Sequence, residues 1–539
     1  MIPIIDIFAG PGGLGEGFSS LRDENNEQVF KIKLSIEKDV YAHKTLKLRS
    51  FYRHFQNNNV PENYYLFLRG EITLDELYNR HPEEARLADE EAWCGTLGAP
   101  EESDNNGVSD EEVDIRIRQA LAGMNDWVLI GGPPCQAYSL VGRSRRQETI
   151  LSEENDKRVG LYKEYLRILA VHQPSVFVME NVKGILSAQT ANENVFAKIL
   201  EDLSDPVSAC ISEGNYFEDN DARIRYRIYS LAVEPNRYGE DGYPIFNPRD
   251  FIIKAEEYGI PQKRHRVILL GVREDLATEN NVLDRQEQVS LSSVIGNLPS
   301  LRSGLTRSYS HSETRTDKSK KRYYVKENDS AENWMRYVDL FNSEIDAILP
   351  VSERQIGERP ATLGIEFQRF QNFDLEQSHP LAMWYKDENL QGILHHVSRK
   401  HLVQDIKRYL FASRYAYQNG AFPRLSDYKN DLKDLVPDHE NVDSGKFTDR
   451  FRVQLPDIPA TTVTSHISKD GHYFIHYDPL QCRSFTVREA ARVQTFPDNY
   501  FFCGGRTQQF HQVGNAVPPF LAYQISQIVE RIFTYNGIY

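Results

Sequence analysis

Trp127-Val128-Leu129-Ile130-Gly131-Gly132-Pro133-Pro134-Cys135-Gln136-Ala137-Tyr138-Ser139 runs from a short apolar segment through a glycine break and two prolines to a cysteine. A continuous apolar run of this length suits a strand covered on both faces of a parallel sheet. The prolines hold φ at about −65°, and Gly132 and Pro133, each preceding a proline, are biased toward extended backbone. The cysteine is therefore delivered at the carboxyl end of the strand on stiff backbone, and in open α/β sheets that edge is where ligands bind. A lone cysteine is more often a packed small hydrophobe. Its company at other strand ends argues for more.

Upstream, Ile4-Ile5-Asp6-Ile7-Phe8 reads as a strand followed by Ala9-Gly10-Pro11-Gly12-Gly13-Leu14-Gly15, in which Gly10, Gly12 and Gly15 satisfy GxGxxG. Alone, that pattern says only that backbone approaches something closely or that a turn is tight. Lys31-Ile32-Lys33-Leu34-Ser35-Ile36 ends on Glu37, an acid placed to accept hydrogen bonds from ribose hydroxyls. Downstream, Val176-Phe177-Val178-Met179 ends on Glu180-Asn181-Val182. Glu37, Cys135 and Glu180 thus share one edge of a sheet. Tyr258 to Arg266 then leads into Val267-Ile268-Leu269-Leu270, with Arg264 and Arg266 alternating on extended backbone toward one side. Two guanidinium groups there suit a phosphate or a carbonyl oxygen.

A chain of 539 residues exceeds one ordinary core, so two domains or one enlarged domain are expected. No apolar run reaches the roughly 18 residues of a membrane span, and Met1-Ile2-Pro3-Ile4 enters a strand without a basic leader, so a cytoplasmic, nucleoid-associated protein is expected. The five cysteines are scattered without a CxxC pair, which argues against a zinc ribbon or a disulfide frame. His395-His396 with His401 lacks ligand partners at useful spacing and reads as a packed or solvated face; no metal is expected. The net charge of −15 is concentrated: Glu62 to Asp114 holds 16 acidic residues against 3 basic. Two stretches run the other way, Arg302 to Lys326 with 8 basic against 2 acidic and Arg399 to Lys433 with 8 against 3. Either could face phosphates, since binding responds to the local field.

The organisation expected is a first α/β part over 1–275 with an acidic, irregular excursion at about 51–125, whose segment Glu101 to Asp114 is expected to be mobile. Leu140 to Gly160, with Arg143, Arg145, Arg146, Lys157 and Arg158, is expected to be a movable loop beside Cys135. A tyrosine-rich, irregular second domain is expected over 276–455, and 456–539 returns to complete the first. In that return, Arg483 to Asp498 is predicted helical, and Phe520 to Phe533 is an amphipathic helix with Leu521, Ile525, Ile528 and Ile532 on one side.

Taken in order, Asp6-x-Phe8-Ala9-Gly10-x-Gly12-Gly13, Gly132-Pro133-Pro134-Cys135-Gln136, Glu180-Asn181-Val182, Gln262-x-Arg264-x-Arg266, Thr486-Val487-Arg488-Glu489-Ala490-Ala491-Arg492 through Phe496-Pro497-Asp498, and Gln512-Val513-Gly514-Asn515-Ala516-Val517-Pro518-Pro519 resemble the cytosine-C5 DNA methyltransferases. The resemblance implies an α/β fold with a Rossmann-like S-adenosylmethionine-dependent methyltransferase sheet, and a separate target-recognition domain at 276–455. It makes Cys135 the nucleophile that adds to cytosine C6, Glu180 the group holding the N3 and amino edge, and Arg266 with Arg264 the contacts to the base carbonyl or flanking phosphates. It implies that Phe8, Gly10, Gly12, Gly13, Leu14, Glu37, Pro134, Asn515 and Val517 line the site of S-adenosylmethionine, whose product is S-adenosylhomocysteine. The excursion before Cys135 is longer than in compact members, so the acid reaching the cofactor adenine is unassigned; Glu71 in Gly70-Glu71-Ile72-Thr73 is the candidate. Double-stranded DNA is the expected partner, with a cognate restriction endonuclease or other defence-system protein beside it, and a monomer is expected. Two rival readings use parts of the pattern. An RNA cytosine-C5 methyltransferase shares nearly every motif but lacks a large recognition domain, and an NAD-type oxidoreductase uses only the glycine loop and Glu37.

Overall fold

The computed structural model describes residues 1–55, 59–98, 106–133, 159–187, 195–212, 224–279, 281–314, 320–349, 357–370, 373–431, 435–436 and 450–539. Cys135, Pro134 and the loop expected at 140–160 lie almost wholly outside these residues. The central sheet has eight strands: β1 (Ile2–Ile7), β2 (Phe30–Glu37), β3 (Ala92–Cys94), β4 (Val128–Gly131), β5 (Val176–Val182), β6 (Tyr226–Ser230), β7 (Ile252–Lys254) and β9 (His265–Arg273), with the short β8 (Gln262–Lys263) pairing outside it. Their order is β3-β2-β1-β4-β5-β9-β6, and β7 pairs with β9. The first five run parallel, while β9 is antiparallel to β5, β6 and β7.

The apolar runs form strands because both faces of the sheet are covered. Ile4, Val128, Ile130, Val176 and Val178 point to one layer, while Ile5, Leu129, Phe177 and Met179 point to the other. The first layer is helix α1 (Gly13–Ser19) and the C-terminal helix Pro519–Tyr535, whose Leu521, Ile525, Ile528 and Ile532 are buried as their spacing predicts. These two helices nearly touch: a Cβ on Gly17 would lie 2.4 Å from the Pro519 carbonyl oxygen and 2.5 Å from the Ala522 Cβ. Only glycine permits that approach.

The acidic excursion is not irregular. It contains α3 (Glu62–Leu68), α4 (Leu74–Arg80), α5 (Pro82–Glu91) and α6 (Asp110–Leu121), following α2 (Val40–Arg53), and it supplies β3 to the sheet. The start signals are local: Thr73 and Glu76 form a capping box, Pro82 opens α5, and Ser109 caps α6. Phe51, Tyr64, Tyr65, Leu68 and Leu77 build a core beneath α2–α4, and Val113, Ile117 and Leu121 of α6 join the sheet's core. Most of the described acids face outward, with Glu91 buried against Arg53 as an exception, and Asp110 to Asp114 is helical rather than mobile; 99–105 lies outside the described residues.

The second region is also more regular than expected. Helices Ala331–Asp346 and Val403–Asn419 pack through Trp334, Val338, Phe341 and Ile345 against Ile406, Tyr409 and Leu410. Val453, Ile475 and Cys482 complete that core, so chain on both sides of position 455 shares it. Leu291, Phe373, Tyr385 and Ile393 in turn share a core with Phe485, Ala491, Phe496 and Val513. The helix predicted within Arg483 to Asp498 is Val487–Val493. Its charges are interior: Arg483 donates to both Glu489 oxygens (2.7 Å each), Arg492 to Asp498 (2.9 and 2.7 Å), and Arg488 to the carbonyls of Leu394, Pro497 and Tyr500.

Candidate active site

Strands β1, β2 and β3 step outward in one direction and β4, β5 in the other, so β1 and β4 are neighbours where the winding reverses. Ligands of such sheets bind in the crevice beyond the strand ends at this point. A cavity of about 560 Å³ occupies it, lined by Phe8, Gly10, Glu37, Gly132, Pro133, Glu180, Asn181, Arg264, Arg266 and Asn515 among others. The expected site residues from β1, β2, β5 and β9 therefore converge.

The turn after β1 is shaped by unusual backbone. Phe8, Gly10 and Gly12 have φ of 56°, 57° and 92°, a region costly for Phe8 and free for the glycines. A Cβ on Gly10 would meet nothing within 4 Å, so this turn offers bare backbone to the cavity. Glu37 braces it, accepting from the N–H groups of Gly10 (2.8 Å) and Asp39 (2.7 Å). Burial raises the Glu37 carboxyl above its usual range. Gly12, Gly13, Leu14 and Val517 are not in the cavity wall. Gly12 is pressed by Leu46 and Tyr500, a Cβ on Gly13 would lie 2.2 Å from the Val517 carbonyl oxygen, and Leu14 is in the core. These four shape the site from behind. Glu71 does not reach the cavity; it is paired on the surface with Arg69 (3.0 Å) and Arg369 (3.2 Å). The wall beyond β3 is Gly95, Thr96 and Leu97 instead.

On the β5 side, the antiparallel register sets Val182 opposite Arg266 and Glu180 opposite Ile268. Glu180 Oε1 lies 2.9 Å from Arg266 Nε, an ion pair whose angle is not that of a hydrogen bond, so both atoms keep unused hydrogen-bonding capacity. Gly132 is packed on Glu180: a Cβ there would lie 2.9 Å from its carbonyl oxygen and 3.1 Å from Oε2. Asn181 donates from Nδ2 to the Pro133 carbonyl (3.4 Å), tethering the segment that leads into Cys135.

Arg264 has a different environment. It is buried, donating to the carbonyls of Val463 (3.0 Å) and Gly514 (3.4 Å), and burial followed by the charge of Arg266 lowers its pKa to about 9. Its guanidinium thus clamps loop 463–465 to the helix Arg506–Asn515. Thr464, Ser465, His511 and Gln512, which also line the cavity, were not picked out individually by the sequence reading. Gly514 was the available signal: a Cβ there would lie 2.3 Å from the Thr464 carbonyl carbon, so the two segments meet backbone to backbone.

A parallel sheet with one antiparallel strand inserted beside β5, and a crevice walled by a half-buried acid on one side and a carboxylate–guanidinium pair on the other, give the architecture of the Rossmann-like methyltransferases. A sequence profile of the C-5 cytosine-specific DNA methylases matches residues 103–206 and 238–531. The chain is 31% identical to the type II methyltransferase M.Bpa9945I of Bacillus paralicheniformis over 99% of both chains. It is 23% identical to M.DdeI of Desulfomicrobium norvegicum over 98% of this chain and 89% of that one, and 27% identical to the DNA (cytosine-5-)-methyltransferase M.ApeKI of Aeropyrum pernix over 76% and 82%. The chain belongs to the C-5 cytosine-specific DNA methylase family and is a DNA (cytosine-5-)-methyltransferase.

Proposed function

We propose that this enzyme methylates C5 of a cytosine extruded from a specific duplex DNA sequence, as the modification partner of a type II restriction system. The observation that carries the reading is that Gly10 and Glu37 share one cavity with Glu180 and Arg266, so a cofactor half and a base half adjoin. The first half fits S-adenosylmethionine: bare backbone at Gly10 suits the amino-acid moiety, and the Glu37 oxygens, each fixed by one N–H, retain lone pairs for ribose hydroxyls. S-adenosylmethionine supplies an electrophilic methyl group.

Cytosine C5 is too weak a nucleophile to take that methyl unaided. Cys135, two residues along the chain from Pro133, adds as its thiolate to C6, which makes C5 enamine-like. Glu180 holds the N3 and amino edge, sharing a proton as charge develops in the ring, and Arg266 keeps Glu180 in place. After methyl transfer the C5 proton leaves and the thiolate departs, restoring the double bond and giving 5-methylcytosine. C6 is inaccessible in a stacked duplex, so the base must flip out, at a cost of a few kcal/mol.

The test supplies labelled S-adenosylmethionine to duplex DNA and to tRNA separately. Label on DNA alone supports the reading, and label on tRNA alone sinks it. Cys135→Ser should abolish turnover while DNA binding persists, and a 5-fluorocytosine target should trap a covalent adduct because the C5 proton can no longer leave. Bisulfite sequencing of DNA from cells expressing the chain then reads out the recognition site.

A further inference from the structure

After Gly304–Leu305, which pairs with Lys400–His401, the chain forms a separate two-stranded antiparallel ribbon, Arg307–Thr314 against Lys320–Lys326. Its register breaks once: Tyr309 pairs with Tyr324 and His311 with Tyr323, leaving Ser310 as an extra residue. That bulge sorts the side chains. Strict alternation would have placed Glu313 on the face of Arg307 and Tyr309. The bulge moves it to the other side.

The ring contacts confirm the two faces. On the back, His311 stacks on Tyr323 (centroids 4.6 Å, 10° between planes), Lys321 lies 4.7 Å above the same ring, and Tyr323 Oη donates to Glu313 (2.8 Å). On the front, Arg307 lies 4.4 Å from the Tyr324 ring, which meets Tyr309 edge to face at 6.0 Å. Arg322 and Lys326 share that front by alternation with Tyr324. The front therefore carries Arg307, Arg322 and Lys326 around two tyrosines, all but Tyr324 exposed, whereas the back balances Lys321 with Glu313.

We propose that this front face enters the major groove of the duplex; the inference rests on the DNA reading above. A two-stranded ribbon matches a groove about 12 Å wide. In a chain of net charge −15, a locally cationic strip is where a polyanion is drawn. Arginine and lysine bind phosphates and guanine edges, and Tyr324 holds the Arg307 guanidinium plane in readiness. The root of the ribbon is tied to the active site: Thr306 donates to the His401 carbonyl (3.0 Å), and Arg399 donates to the Ile467 carbonyl (2.8 Å) in the turn that begins at the cavity residue Ser465.

The test uses the full-length enzyme and a duplex carrying the site found by bisulfite sequencing, with binding followed by anisotropy against salt. Arg307→Ala/Arg322→Ala/Lys326→Ala should weaken binding at least tenfold and reduce the logarithmic salt slope by about 2–3, at about 0.9 per phosphate contact. Lys321→Ala on the back should stay within twofold of wild type. S-adenosylmethionine affinity, measured by calorimetry, should be unchanged in both, which reports an intact fold; the single reversal Arg322→Glu should weaken binding in the same direction. A triple variant with wild-type affinity and slope, or a Lys321→Ala loss as large as the triple's, overturns the ribbon assignment while duplex methylation by the wild type leaves the enzymatic reading standing. A wild type that methylates no duplex at all removes both.

Discussion

Arg264 and Arg266 are two residues apart on the same edge, yet they should fail differently when removed. Arg264→Ala leaves the Val463 and Gly514 carbonyls without their donor, so it should destabilise the fold by about 1–3 kcal/mol and lower Tm. Arg266→Ala frees Glu180 at the cavity and should depress kcat while Tm moves little; equal Tm losses in the two variants would contradict this division. Glu180→Gln should lower kcat by about 10²–10⁴-fold if the carboxyl works as an acid–base group. The sequence placed both arginines at the site, and both reach it. What it could not show is that one of them is spent on a loop from some 200 residues downstream, because that encounter is purely tertiary.

At the scale of elements, strands were easier to read than helices. β1, β4 and β5 announce themselves as apolar runs followed by glycine, proline or glutamate, and all three are strands, with Gly131 closing β4 and Glu180 near the end of β5; Cys135 lies outside the described residues. The helices α3–α6 were overlooked because their signals are caps rather than periodicity, and because 16 acids between Glu62 and Asp114 suggest a solvated chain, whereas most of the described ones coat a packed one. The basic stretch Arg399 to Lys433 was misleading in the opposite sense. Much of it is the helix Val403–Asn419, in which Lys407 and Arg414 are buried, and Arg414 bonds Asn342, Asp346 and the Leu349 carbonyl. Arg414→Ala should therefore cost about 2–4 kcal/mol of stability and leave the salt slope of DNA binding unchanged. Likewise Gly17→Ala drives a methyl into the Pro519–Ala522 turn and should lower Tm, by about 1–3 kcal/mol of overpacking.

Across the whole molecule, five histidines of the second region and the return segment are buried. Burial lowers His396 and His476 to about 4, and lowers His395, His401 and His472 as well. Arg483 and Glu489 face His396 and His476, and the net result is still a downward shift from 6.5. An unfolded chain takes up protons at His396 and His476 below pH 6.5 while the folded one refuses them until about pH 4, and the other three are shifted in the same direction. Stability should thus decline steadily as pH falls across that window, on top of any loss from paired carboxylates. Thermal melts between pH 7 and pH 4 check this; a flat profile would mean the imidazoles are charged inside the fold.

The nearness of Gly13 to Val517, and of Gly17 to Pro519, has a bearing on biosynthesis. The turn at Phe8–Gly12 leaves the ribosome roughly 500 residues before the Val517–Ala522 segment that backs the helix it opens. A product terminated before Val517 would own Glu37, Glu180 and Arg266 and still lack a floor beneath that turn. Copies cut short there should then be unable to methylate DNA.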